Sequence, residues 1–104
     1  MLTIDEIIHK AVEYKPDFDE QKLRQAYRFA QNAYEGMYRL SGDSYLSHAL
    51  AVTDILMQLK PYEDTLVAAL LHELPKTANN DMELIEKTFG ANVRLFIEGI
   101  HKIR

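Results

Sequence analysis

The stretch DTLVAALLHELPKT, residues 64–77, decides how the chain is read. Between Thr65 and Leu71 every residue after the threonine is apolar. A helix with no polar side cannot face water anywhere along its length, so it belongs at the centre of a fold. Proline has no N–H to give the preceding turn and its ring clashes with that turn, so Pro75 forces a stop. The spacing therefore predicts an innermost helix from Glu63 to about Leu74. At its end His72 and Glu73 stand side by side. Buried ring nitrogens and carboxylates need partners. The pair reads either as a metal-binding step or as the polar finish of a core helix.

Working outward, the rest of the chain is punctuated as helices. Thr3, with Glu6 three residues on, forms a capping box that opens a helix over Ile4–Tyr14, and Pro16 closes it. Asp19 caps a second helix predicted from Glu20 to about Tyr38, with Leu23, Ala26, Tyr27, Ala30 and Ala33 as its apolar stripe. LSGDS (40–44) breaks the chain. A third helix is expected over Tyr45–Leu59, with His48, Val52, Ile55, Leu56 and Leu59 on one face, and Pro61 ends that segment. Asn80 is the expected cap of a fifth helix that ends at Gly90, a residue suited to a helix C-terminus. A sixth begins near Asn92 and reaches the end of the sequence. Nothing alternates at period two for long enough to make a strand. The fold class is all-α, with about six helices, in one domain spanning residues 1–104.

Composition narrows the function. The 104 residues carry a formal net charge of −4 and no cysteine. Thiolate metal sites, disulfides and cysteine nucleophiles are excluded, and the composition fits a reducing cytoplasm. A mildly acidic chain without a basic face is not read as a nucleic-acid binder, and its six tyrosines show no basic interleaving. No apolar run approaches the roughly 20 residues that span a bilayer, so no membrane role is expected. His9 on the first helix reads as solvated. His101 is given no role, and the four methionines read as gap fillers or surface residues.

His48 and His72 lie on helices expected to be neighbours. With Glu73 they are candidate ligands of one divalent ion, since imidazole and carboxylate suit Zn, Mn, Fe and similar ions. The competing reading gives each histidine a backbone carbonyl or a tyrosine as partner.

Three blocks together resemble a known family. They are YKPDFDEQKLRQAYRFAQNAYEGMYRLSGDSYLSHALAVTDIL (14–56), DTLVAALLHELPKT (64–77) and IEKTFGANVRLFIEGIHKI (85–103). They are similar to the N-terminal HD domain of RelA/SpoT proteins, which hydrolyse or synthesise the alarmone guanosine tetraphosphate, ppGpp. The resemblance implies the first part of an HD-domain helical fold, a guanosine nucleotide as ligand and Mn²⁺ as cofactor. The family's first metal histidine falls on His48, its HD histidine on His72 and its HD aspartate on Glu73, one methylene longer. The guanine-site segment falls on Arg39, Ser41, Gly42 and Asp43, and Tyr45 matches as well. A guanidinium stacks on flat rings, so Arg39 suits a base.

The departures gather at the chemistry. Where hydrolases of this family carry a catalytic Glu-Asp pair, this chain has Lys76 and Thr77, and neither replaces a carboxylate as base or as orienter of water. The family's "AH" histidine is Tyr34 and its glutamine is Met37. The resemblance also implies further helices beyond GIHKI that bring the last metal aspartate, so these residues alone are not expected to close a family metal site. The expectation is an HD domain with weak or no hydrolase activity. The alternatives are an active Mn²⁺-dependent ppGpp 3′-pyrophosphohydrolase in a longer parent, or a helical interaction module. Apolar surface left uncovered makes a homo-oligomer an expected partner state.

Overall fold

The computed structural model describes residues 2–78 and 80–103, and side chains through residue 100. Six α-helices run in order: α1 Ile4–Tyr14, α2 Glu20–Ala33, α3 Tyr45–Leu56, α4 Glu63–Leu71, α5 Met82–Phe89 and α6 Ala91–Ile103. Short 3₁₀ turns follow α3 (Met57–Leu59) and α4 (Leu74–Lys76). Among the described residues the sole extended pairing is one antiparallel bridge between Tyr38 and Ser44.

α4 is the axle. Every residue from Leu66 to Leu74 is buried, including His72 and Glu73. α2, α3 and α6 pack around it, and α5 packs on α6. The wall that faces α4 is made of Leu23, Ala26, Ala30 and Ala33 from α2, and of Val93 and Ile97 from α6. The small residues on α2 let that helix approach closely, and larger leucines on α4 fill the space.

Local chemistry sets the helix ends. The Thr3 hydroxyl accepts from the Glu6 N–H, the Asp19 carboxylate from the Lys22 N–H, and the Ser44 hydroxyl from the Ser47 N–H. Each satisfies an amide that the first turn leaves without a partner.

Six boundaries or faces differ from the sequence reading. α3 ends at Leu56 rather than Leu59, and Met57–Leu59 tighten into a 3₁₀ turn instead. α2 stops at Ala33 rather than near Tyr38: Tyr34 closes it, and Gly36 at φ 73° takes a conformation that a helix cannot continue through. α4 stops at Leu71, three residues short of the expected end. Pro75 cannot supply the amide that would extend it, and the chain tightens into a 3₁₀ turn instead. α5 is capped by Asp81 rather than Asn80, its carboxylate accepting from the Glu83 and Leu84 amides. α6 begins at Ala91, one residue early. α3 buries Ala49, Leu50 and Thr53, not the expected stripe, while Ile55 and Leu59 are exposed. The Thr53 hydroxyl is accommodated by donating to the Ala49 carbonyl at 2.8 Å. The side chain of His101 lies outside the described residues.

Candidate functional site

The candidate residues gather where α4 ends. The His72 Nδ1 lies 2.6 Å from the Ala69 carbonyl oxygen. A carbonyl only accepts, so this nitrogen carries the proton and Nε2 is turned towards the next residue. Nε2 stands 3.1 Å from Glu73 Oε1, with both side chains almost completely buried. The His48 ring, on α3, lies edge-on to His72, with centroids 5.7 Å apart and planes at 61°. The structure therefore brings His72 beside both His48 and Glu73.

The other oxygen of Glu73 is taken. Lys76 Nζ donates to Glu73 Oε2 at 3.1 Å. The 3₁₀ turn produces this contact, because side chains three residues apart eclipse one another there. The Lys76 amide donates to the Glu73 carbonyl at 3.0 Å and fixes that register. Thr77, at the second position where the family pattern has a carboxylate, is buried and donates its hydroxyl to the Leu74 carbonyl at 2.9 Å.

Tyr34 ties the site to α2. Its hydroxyl donates to the Leu70 carbonyl at 2.8 Å and accepts from the Glu73 amide at 3.2 Å. Burial pushes the phenol far above its ordinary range, and the nearby Glu73 carboxylate adds to this. The group stays neutral and acts as donor and acceptor together. Its ring also meets Tyr45 edge-to-face at 5.9 Å. Sequence reasoning marked Tyr34 as a departure from the family pattern and missed this clasp. Its two partners lie 36 and 39 residues away, so no local spacing could have shown it.

Two hollows flank the His72–Glu73 step. A polar pocket of about 430 Å³ is lined by Arg39, Leu40, Ser41, Tyr45, Glu73 and Lys76. The predicted nucleotide residues Arg39, Ser41 and Tyr45 thus share one wall space with Glu73. A tight turn presents them: the Gly42 amide donates to the Arg39 carbonyl at 2.9 Å, and the Arg39 amide to the Asp43 carbonyl at 2.8 Å. Gly42 sits at φ 97°, where a side chain is strained. On the other side an apolar cleft of about 640 Å³ opens between α3, α4 and α6 onto His48 and His72, with Val52, Leu56, Phe96 and Ile100 among its walls. The face of α3 that the sequence marks out contributes here, through His48, Val52 and Leu56.

The donor set is incomplete for a resident metal. Among the described residues no three His, Cys, Asp or Glu side chains converge so as to hold an ion. Glu73, one of the three expected ligands, also shares its carboxylate with a lysine. The residues present therefore do not by themselves fit the divalent ion that the resemblance implies.

A family-wide sequence profile described as "HD domain" matches residues 26–104, more than half of the chain. The chain belongs to the HD domain family. Its similarity to curated proteins points the same way. This HD domain is 39% identical over 90 residues to the bifunctional (p)ppGpp synthase/hydrolase SpoT of Escherichia coli K12, covering 86% of the chain and 13% of that protein. It is 33% identical over 99 residues to the GTP pyrophosphokinase rsh of Brucella melitensis, covering 95% of the chain and 13% of that protein. A relative of equal similarity from Escherichia coli O157:H7 is named a guanosine-3′,5′-bis(diphosphate) 3′-pyrophosphohydrolase. The HD domain thus spans about one-eighth of the length of these relatives. Among the described residues no helix is long and apolar enough to cross a membrane.

Proposed function

We propose that this HD domain is the RelA/SpoT-type module of a (p)ppGpp synthase/hydrolase and that it binds the guanosine nucleotide with weak or no hydrolysis. The observation that carries the reading is the fate of positions 76 and 77. A hydrolase needs a base or an orienter for the attacking water. Here Lys76 is an ion-pair partner of Glu73 and Thr77 is folded back on Leu74. The ligand side is supported by Arg39, Ser41 and Tyr45 lining one pocket. A cytoplasmic setting goes with this reading and is supported by a cysteine-free chain. The test is pyrophosphate release from ppGpp with added Mn²⁺. Release at the buffer background is expected, and turnover comparable with an intact hydrolase of the family overturns the reading.

One observation favours a second reading. The 5.7 Å approach of the His48 and His72 rings, beside Glu73, supports retention of Mn²⁺ in a longer parent that adds a downstream aspartate. Elemental analysis of that parent after saturation with Mn²⁺ decides it, since a protein that comes out metal-free removes this reading.

A third observation favours an interaction role. Ile55, Leu59, Leu95 and Phe96 are exposed. Large apolar side chains in water support self-association into a homo-oligomer. A monomer mass in sedimentation that holds as concentration rises would eliminate it.

A further inference from the structure

We infer that Lys76 is the built-in counter-cation of Glu73, and that it holds a phosphate of a phosphorylated nucleoside without a divalent ion, while Arg39 meets the base. The inference rests on the nucleotide-binding half of the function proposed above and adds how the charge is met.

Glu73 is the starting point. A buried carboxylate is costly unless it is paired, and its side chain is only 3% exposed. One route to compensation is an ion from solution. Here the chain supplies its own, held in register by the 3₁₀ turn that Pro75 helps to set. The lysine reaches Glu73 from the outside, with 39% of its side chain exposed. An ammonium has three N–H donors and Glu73 Oε2 engages one of them. The same ammonium lines the polar pocket, where an incoming anion can share it without displacing Glu73. A divalent ion drawn to this carboxylate would meet a like charge already on it.

Arg39 lines the same hollow. Its contact with Asp43 is long, 3.8 Å, and both side chains are well exposed. Such a pair contributes little and leaves the guanidinium able to stack on a flat base. Tyr45 and Leu40 add flat and apolar surface in the same hollow, which a base can cover. The pocket volume of about 430 Å³ lies within the range of small-ligand sites.

The experiment is calorimetric titration of the protein with ppGpp, and separately with inorganic pyrophosphate, in EDTA and in Mn²⁺. The unsubstituted protein should bind ppGpp equally in both buffers. Lys76→Gln should weaken binding in EDTA by about tenfold, the worth of one charge-assisted contact. Glu73→Gln releases the ammonium and should bind ppGpp as well as before or better. A metal-mediated site predicts the reverse, with Glu73→Gln abolishing binding. Circular dichroism checks each fold. If Lys76→Gln unfolds because the Glu73 carboxylate loses this ion pair, the double variant Glu73→Gln/Lys76→Gln, which removes both members of the pair, should bind more weakly than Glu73→Gln alone. ppGpp binding that needs Mn²⁺, or that ignores Lys76→Gln in a folded protein, overturns the role of Lys76 and leaves nucleotide binding standing. Lys76-dependent binding of pyrophosphate with no binding of ppGpp overturns the nucleotide reading and leaves the role of Lys76. Failure of both probes in both buffers overturns both.

Discussion

The two ends of α4 carry the same ingredients, an acidic side chain and a lysine, and use them differently. At the N-terminal end Glu63 meets Lys15 at 3.2 Å and the Asp19 amide at 2.7 Å, while Lys22 reaches Asp64 at 2.7 Å. Lys15 also lies 5.4 Å from the centre of the Tyr62 ring. These partners come from more than 40 residues away, so the contacts clamp α4 onto the α1–α2 connection. The acids also sit where the helix dipole favours negative charge. At the C-terminal end Glu73 is paired with Lys76, three residues on, beside a pocket. That pair holds no distant elements together. Charge at the first end is used to assemble the fold. Charge at the second end is compensated locally and left within reach of a ligand.

The sharpest way to break this contrast is to remove the axle that both ends share. Leu70→Ala, at a fully buried position of α4, should cost about 2–5 kcal/mol in urea unfolding. A loss near zero would mean that α4 is not the centre of the fold. Next comes the C-terminal clasp. Tyr34→Phe leaves the Leu70 carbonyl and the Glu73 amide without the hydroxyl that serves both, and should cost about 1–3 kcal/mol. A loss under about 0.5 kcal/mol would show that water serves them as well. The smallest effect belongs to the N-terminal end. Glu63→Gln should cost under about 1 kcal/mol at pH 7, as an ion pair near the surface does.

That last substitution also has a pH signature. Burial pushes the Glu63 carboxyl up, but the Asp19 amide, its own amide and Lys15 outweigh it and hold the group below its ordinary value of 4.5. A depressed folded-state value means that the unfolded chain takes up the proton first as pH falls. The stabilisation is therefore complete above the ordinary value and fades as pH drops through the folded one. The stability gap between the unsubstituted protein and Glu63→Gln should close over that acid range, read as paired urea midpoints. A gap that stays constant to the acid limit would assign the effect to packing rather than charge.

Much of the architecture is legible in short-range signals. Thr3 with Glu6, Asp19 and the stop before Pro16 place α1 and the start of α2, because capping acts over three or four residues. The all-apolar run of α4 announces its burial. The misplaced end of α2 has no such local signal: Ala33 to Tyr38 contains only Gly36 as a warning, and a single glycine is compatible with a helix, whereas in the fold Gly36 takes a positive φ and Tyr34 is buried. α3 misleads for another reason. It has apolar residues on two sides, and periodicity cannot tell the face that meets α4 from the one that lines a cleft. At the site, the approach of His48 to His72 follows from two neighbouring helices and was within reach of the sequence. The Glu73–Lys76 pair depends on the turn being 3₁₀, and the Tyr34 clasp depends on tertiary folding. Neither has a signature in spacing.

The 3₁₀ turn after α4 has a consequence for how this lineage can change. Because it stacks residue 76 over residue 73, whatever occupies position 76 is obliged to answer the acid beneath it. A basic residue makes the domain self-sufficient in charge, and an acidic one makes it dependent on something borrowed from solution. One codon therefore separates two chemical temperaments on an unaltered scaffold.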